Sequence, residues 1–90
     1  MLKVAQVGLG WWGAQVTSVL KDSDKIDVIC GVDPAAEMAE RYTKEHGLPV
    51  YSDYQQALDD PNVEGVILTV PHRFHEESVI RAAAAGKQIF

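Results

Sequence analysis

Three short stretches carry residue types that can do chemistry. The first is Gly8-Leu9-Gly10-Trp11-Trp12-Gly13, a G-x-G-x-x-G spacing placed directly after the short apolar run Val4 to Val7. In a strand-to-helix turn, Gly8 allows a tight exit from the strand. Gly10 lacks a Cβ, so a pyrophosphate can approach the backbone, and Gly13 lets the helix sit near the strand it has just left. The first-turn N–H groups of that helix have no intrahelical partners, and its dipole adds partial positive charge. An anion is therefore stabilised there without any lysine or arginine. The second stretch ends in Asp33, twenty positions after Gly13, at the close of Ile26-Asp-Val-Ile-Cys-Gly-Val-Asp33. A carboxylate there can accept hydrogen bonds from both hydroxyls of an adenosine ribose and would repel a 2′-phosphate, which favours NAD over NADP. The third is the loop Thr69-Val70-Pro71-His72-Arg73-Phe74-His75, which follows the most apolar run of the chain.

Several of these residues have a plainer use as well. Asp33 can cap the next helix with Pro34 in the first helical position. Thr69 can bond a ribose or phosphate oxygen, or be an ordinary hydroxyl at a strand end. Pro71 fixes φ and shapes its turn whatever binds there. His72 and His75 are three apart and can share one helical face. His75 is either a half-buried histidine beside Val79 and Ala82 or a contact to the nicotinamide side of a cofactor. Trp12 falls on the apolar face with Val16 and is expected in the core, while Trp11 can cover the pyrophosphate or a neighbouring subunit. The expected cofactor-binding set is Gly8, Leu9, Gly10, Trp11, Trp12, Gly13, Asp33, Thr69, Val70, Pro71, His72 and His75. No metal is expected, because the histidines lack partners at ligand spacing; His46 is expected to be solvated near a helix end.

These stretches need elements to hold them. A helix is expected from Trp11 to Lys21, then a strand from Ile26 to Val32 and a helix from Pro34 with the stripe Ala35, Met38, Ala39 and Tyr42. Gly47 and Pro49 stop it. Val50-Tyr51 makes a short edge strand. Ser52 and Gln55 have capping-box spacing before a brief helix with Tyr54, Ala57 and Leu58 on its packing face. Val63 to Val70 is the central strand, a last helix runs from Arg73 to Ala85, and Gln88-Ile89-Phe90 begins a fifth strand. Strands alternating with helices imply an α/β fold of the Rossmann type, a doubly wound parallel sheet ordered 3-2-1-4-5. Its ligand crevice lies between strands 1 and 4, where the glycine turn and the loop after Leu68 should meet.

Ninety residues at 47% hydrophobic and 23% charged suit one globular domain or part of one. The net charge of −5 and the lack of a Lys/Arg cluster argue against nucleic acid or an anionic membrane as partner. No apolar run approaches the roughly 20 residues of a membrane span. Cys30 is the single cysteine; an internal disulfide is impossible, and a small buried thiol in a reducing cytoplasm is its expected role.

Taken together, Gly8-x-Gly10-x-x-Gly13, Asp33, Thr69-x-Pro71-His72-x-x-His75 and Ala85-Gly86-Lys87 resemble the Gfo/Idh/MocA family of oxidoreductases over the whole chain. The family usually has Asn after the proline, where this chain has His72. The resemblance implies an N-terminal Rossmann domain followed by a substrate domain on a large open sheet. It also implies hydride transfer between NAD or NADP and a sugar, inositol or similar polyol. Family members continue past Ala-Gly-Lys into Glu-Lys-Pro, whose lysine is catalytic, and by that pattern the motif would be due just after Phe90. No residue here is therefore expected to be catalytic, and the ninety residues alone are expected to be inactive. Lys87 is expected to complement a helix C-terminus. An unpaired fifth strand is expected to favour self-association, and the full protein to be a homo-oligomer. The alternative is an NAD-binding regulatory or sensor module without chemistry.

Overall fold

The computed structural model describes residues 1–90, the side chain of His72 excepted. Its elements run β1 (Leu2–Val7), α1 (Trp11–Leu20), β2 (Ile26–Val32), α2 (Ala36–His46), β3 (Val50–Tyr51), α3 (Tyr54–Leu58), β4 (Gly65–Leu68), α4 (His72–Ala84) and β5 (Gln88–Ile89). The sheet is parallel throughout, in the order β3-β2-β1-β4-β5. Strand order and element sequence agree with the expected doubly wound fold. The order reverses between β1 and β4, and that reversal opens a crevice above the carboxyl ends of the two strands.

Side chains alternate across β1, so its two faces differ. Ala5 and Val7 join Cys30, Val32, Val66 and Leu68 in a hydrocarbon cluster closed by Ala57 and Leu58 of α3 and Ala82 of α4. Burial pushes the Cys30 thiol up to about 11, with the nearby Asp60 carboxylate adding repulsion, which suits an inert core thiol. On the opposite face, α1 and α2 cover Val4, Gln6 and Gly31. There the Tyr42 hydroxyl lies 2.8 Å from Thr17 Oγ1, which itself donates to the Gly13 carbonyl at 3.1 Å. The hydrogen between the two hydroxyls therefore belongs to Tyr42.

Five local expectations change. Trp12 is 62% exposed rather than in the core; α1 turns Gly13 and Thr17 inward instead. The phase is set by Gly13, the position where backbone and strand come closest, and this rotates Trp12 and Val19 outward. α2 begins at Ala36, two residues after Pro34, because Asp33 Oδ1 accepts the Ala35 N–H at 2.9 Å and closes a separate turn. The capping box before α3 is Asp53 with Gln56, one residue later than Ser52 with Gln55. Both pairs have the right spacing, and Tyr54 as first helical residue decides between them. Lys87 does not address a helix end: Nζ donates to the carbonyls of Asp60 (3.0 Å) and Val63, and tethers the turn before β4. His46 is half-buried, its ring 4.7 Å from that of Tyr42, rather than solvated. Among the described residues no helix is long and apolar enough to cross a membrane.

Candidate functional site

The end of β1 is tied to both neighbours before the chain turns. The Gly8 N–H donates to Val32 O at 2.9 Å and the Thr69 N–H donates to Val7 O at 3.0 Å. Gly8 then adopts φ +93°, and a Cβ there would meet the Thr69 carbonyl at 2.9 Å. Gly13 is tighter still, since its missing Cβ would lie 2.0 Å from the Gly8 carbonyl. Gly10 differs from both. Its φ is an ordinary −65° and a Cβ would meet no atom within 4 Å. Packing does not ask for glycine at position 10; the open space above it is what a Cβ would occupy.

Gly10 is the N-cap of α1, with no side-chain cap and no acidic residue in the first turn. The first-turn N–H groups thus face outward with the positive end of the helix dipole behind them. Beside this turn, the Asp33 carboxylate is held at two points. Oδ2 accepts the Leu9 N–H at 3.0 Å and Oδ1 accepts the Ala35 N–H at 2.9 Å. Each oxygen keeps a lone pair for another donor.

A crevice of about 600 Å³ runs across these groups, within the range of small-molecule and cofactor sites. Of the residues singled out in the sequence, Gly8, Leu9, Gly10, Asp33, Thr69, Val70 and Pro71 line it. Gly13 lies buried beneath the turn, and Trp11, Trp12 and His75 are exposed outside the crevice. The His72 side chain lies outside the described residues. The crevice also takes in Ser52, Asp53 and Tyr54 from the end of β3, and Phe74, Glu77, Ser78 and Arg81 from one face of α4. Two signals could have found them. The strand order puts the end of β3 beside Asp33, and the spacing 74, 77, 78, 81 is a single helical stripe.

That far wall is ordered by its own contacts. The Arg81 guanidinium donates to Gln55 Oε1 at 3.0 Å and sits 4.9 Å over the Tyr54 ring. The Tyr54 hydroxyl donates to the Ser78 carbonyl at 2.8 Å, and burial raises its phenol above the usual range. The charged lining is then Asp33, beside the glycine turn, with Asp53 and Glu77 against Arg81, a net excess of negative charge. A mostly apolar, cation-poor crevice with a bare helix start at one end and a pinned carboxylate beside it suits a dinucleotide. Among the described residues no group of His, Cys, Asp and Glu is arranged to hold a metal ion.

Comparison with known proteins agrees with this geometry. Residues 2–90 match the family described as an oxidoreductase family with an NAD-binding Rossmann fold. The chain is 32% identical over 91 residues to scyllo-inositol 2-dehydrogenase (NAD(+)) of Bacillus subtilis, covering 99% of this chain and 27% of that protein. It is 34% identical over 91 residues to an inositol 2-dehydrogenase/D-chiro-inositol 3-dehydrogenase of Lactiplantibacillus plantarum, with 98% and 26% covered. Among solved structures, an NAD-binding protein from Listeria innocua superposes with a TM-score of 0.91 at 30% identity, over 98% of this chain and 26% of that one. The chain thus spans about a quarter of the length of these relatives. With the glycine turn, the strand order and the family match in agreement, the chain belongs to the Gfo/Idh/MocA oxidoreductases, as their NAD-binding Rossmann domain.

Proposed function

We propose that this chain is the cofactor-holding part of a cytoplasmic enzyme that moves hydride between NAD and a hydroxyl- or carbonyl-bearing carbon of a sugar, inositol or related polyol. The substrate class is supported by the names of the relatives, two of which are inositol dehydrogenases. A bound nicotinamide would supply the hydride acceptor or donor. This chain's own residues bind and orient. The N–H groups at the start of α1 take the pyrophosphate, and Asp33 takes the ribose hydroxyls. Val70 and Pro71 form the opposite lip, and His75, in the first turn of α4, meets the nicotinamide end. Trp11, at the first position of α1, covers the pyrophosphate from outside the crevice, and the exposed Trp12, Val19 and Phe90 support assembly as a homo-oligomer. No side chain among these residues is given an acid/base role, and the ninety residues alone are expected to catalyse nothing.

The observation that carries the reading is the Asp33 carboxylate, bonded to the Leu9 N–H of the glycine turn at 3.0 Å. A 2′-phosphate would bring close to two negative charges against Asp33 and Asp53, so NAD is preferred over NADP. Calorimetry with both cofactors tests this. NAD should bind at least roughly tenfold more tightly than NADP, and Asp33→Ala should weaken NAD while narrowing the ratio. Equal affinity of the wild-type chain for the two cofactors would remove Asp33 from the account.

A further inference from the structure

Gln6 lies at the middle of the sheet, in register with Gly31 of β2 and Ile67 of β4, and is fully buried. A central strand covered on both faces has no use for an amide unless the amide holds something. Here Nε2 donates to Thr69 Oγ1 at 3.0 Å and reaches the Gly8 carbonyl at 3.4 Å. The Thr69 hydroxyl in turn donates to that same Gly8 carbonyl at 3.0 Å, with Val7 O at 3.2 Å sharing the hydrogen. The Gly8 carbonyl is also the atom that a Cβ on Gly13 would strike. Groups from β1, the glycine turn, α1 and the loop after β4 therefore meet around one oxygen. A carbonyl only accepts, so the amide nitrogen must be the end that faces it. That choice strands Gln6 Oε1, which is buried without a partner. An apolar side chain of similar shape would leave nothing stranded.

We propose that Gln6 and Thr69 form an internal bracket that sets the distance between the glycine turn and the loop after β4. Gln6 is thereby a positioning residue for the pyrophosphate, and Thr69 acts through the Gly8 carbonyl rather than on the ligand. The stranded oxygen follows from that role: Gln6 is kept for placement, at a cost in stability. The bracket rests on the dinucleotide reading above, and it separates the two halves of the ligand. Adenosine, which has no phosphate, relies on the Asp33 side; NAD relies on both.

The test compares wild type with Gln6→Met, Thr69→Val and Thr69→Ser, using thermal melts, calorimetry with NAD and NMR shifts with adenosine. Gln6→Met should melt at or above the wild-type temperature, bind adenosine within about twofold of wild type and bind NAD roughly five- to tenfold more weakly. Thr69→Val should lose NAD affinity in the same way, and Thr69→Ser, which keeps the hydroxyl, should retain most of it. Wild-type NAD affinity in Gln6→Met, or an equal loss for NAD and adenosine, would overturn the bracket while leaving the dinucleotide reading intact. A wild-type chain that binds neither ligand would overturn that reading and the bracket with it.

Discussion

On one face of the sheet, α3 and α4 rest on a cluster of hydrocarbon side chains running from Ala5 and Val7 to Val66, Leu68 and Ala82. On the other, α1 and α2 rest on a mixed surface. Gly13 and Gly31 let backbone and side chains close in, and Gln6, Thr17 and Tyr42 bury polar groups that bond to one another or to the glycine turn. Apolar contact is non-directional and tolerates small shifts, whereas hydrogen bonds and Cβ-free contacts fix position. The first face therefore contributes stability, and the second holds the turn at the crevice in place. The difference predicts that mutations on the two faces fail in different ways.

The largest effect should come from the hydrocarbon face. Leu58→Ala removes a 5%-exposed side chain from the cluster and should cost about 3 kcal/mol in denaturant unfolding. Because Leu58 lies away from the crevice, the variant's NAD affinity should equal that of wild type wherever the variant is folded. A loss of affinity there would erase the division of labour.

A pair of glycine substitutions sharpens the comparison. Gly13→Ala gains about 1 kcal/mol of helix propensity, yet its methyl would lie 2.0 Å from a backbone oxygen. Overpacking against backbone should win, for a net loss of about 2 kcal/mol together with weaker NAD binding. Gly10→Ala meets nothing in the protein, so its stability should stay within about 0.5 kcal/mol of wild type. Its methyl would occupy the ligand's space, and NAD affinity should fall about tenfold. Melts and calorimetry on the two variants give opposite patterns if the turn is built as described.

The smallest effect is acid-dependent and belongs to the turn before β4. The backbone N–H of Asn62, then the Tyr51 hydroxyl, hold the Asp60 carboxyl below its ordinary 3.8. A depressed folded value contributes stability above the unfolded value and loses it as pH falls through the folded one. Asp60→Asn should therefore flatten the decline in stability below about pH 4 in urea melts and leave the neutral-pH crevice unchanged.

The hydrocarbon face was legible in the chain itself. Runs such as Val66-Ile67-Leu68 and the alternation of strand and helix signals led directly to the sheet order, and the glycine spacing with Asp33 led to the crevice. The polar face was not legible in the same way. Trp12 reads as a core residue by hydrophobicity and periodicity, but the phase of α1 is decided by where Gly13 must sit, and side-chain polarity carries no trace of that. Gln6 hides inside an apolar run, and its partners Thr69 and Gly8 become neighbours only once β4 is laid beside β1. Phe74, Glu77, Ser78 and Arg81 formed a readable stripe, but a stripe of mixed polarity announces nothing until the crevice is seen beside it. Lys87, in a similar way, found carbonyls two dozen residues back in the chain.

The central claim is that the start of α1 and Asp33 together seat a dinucleotide, and a titration of the ¹⁵N-labelled chain with NAD tests it most directly. Saturable shifts should be largest at the amides of Gly10, Trp11 and Ala35, with further shifts at Ser52 and Val70 across the crevice. An absence of saturable shifts, or shifts centred on the outward face of α1 at Val16 and Val19, would contradict it.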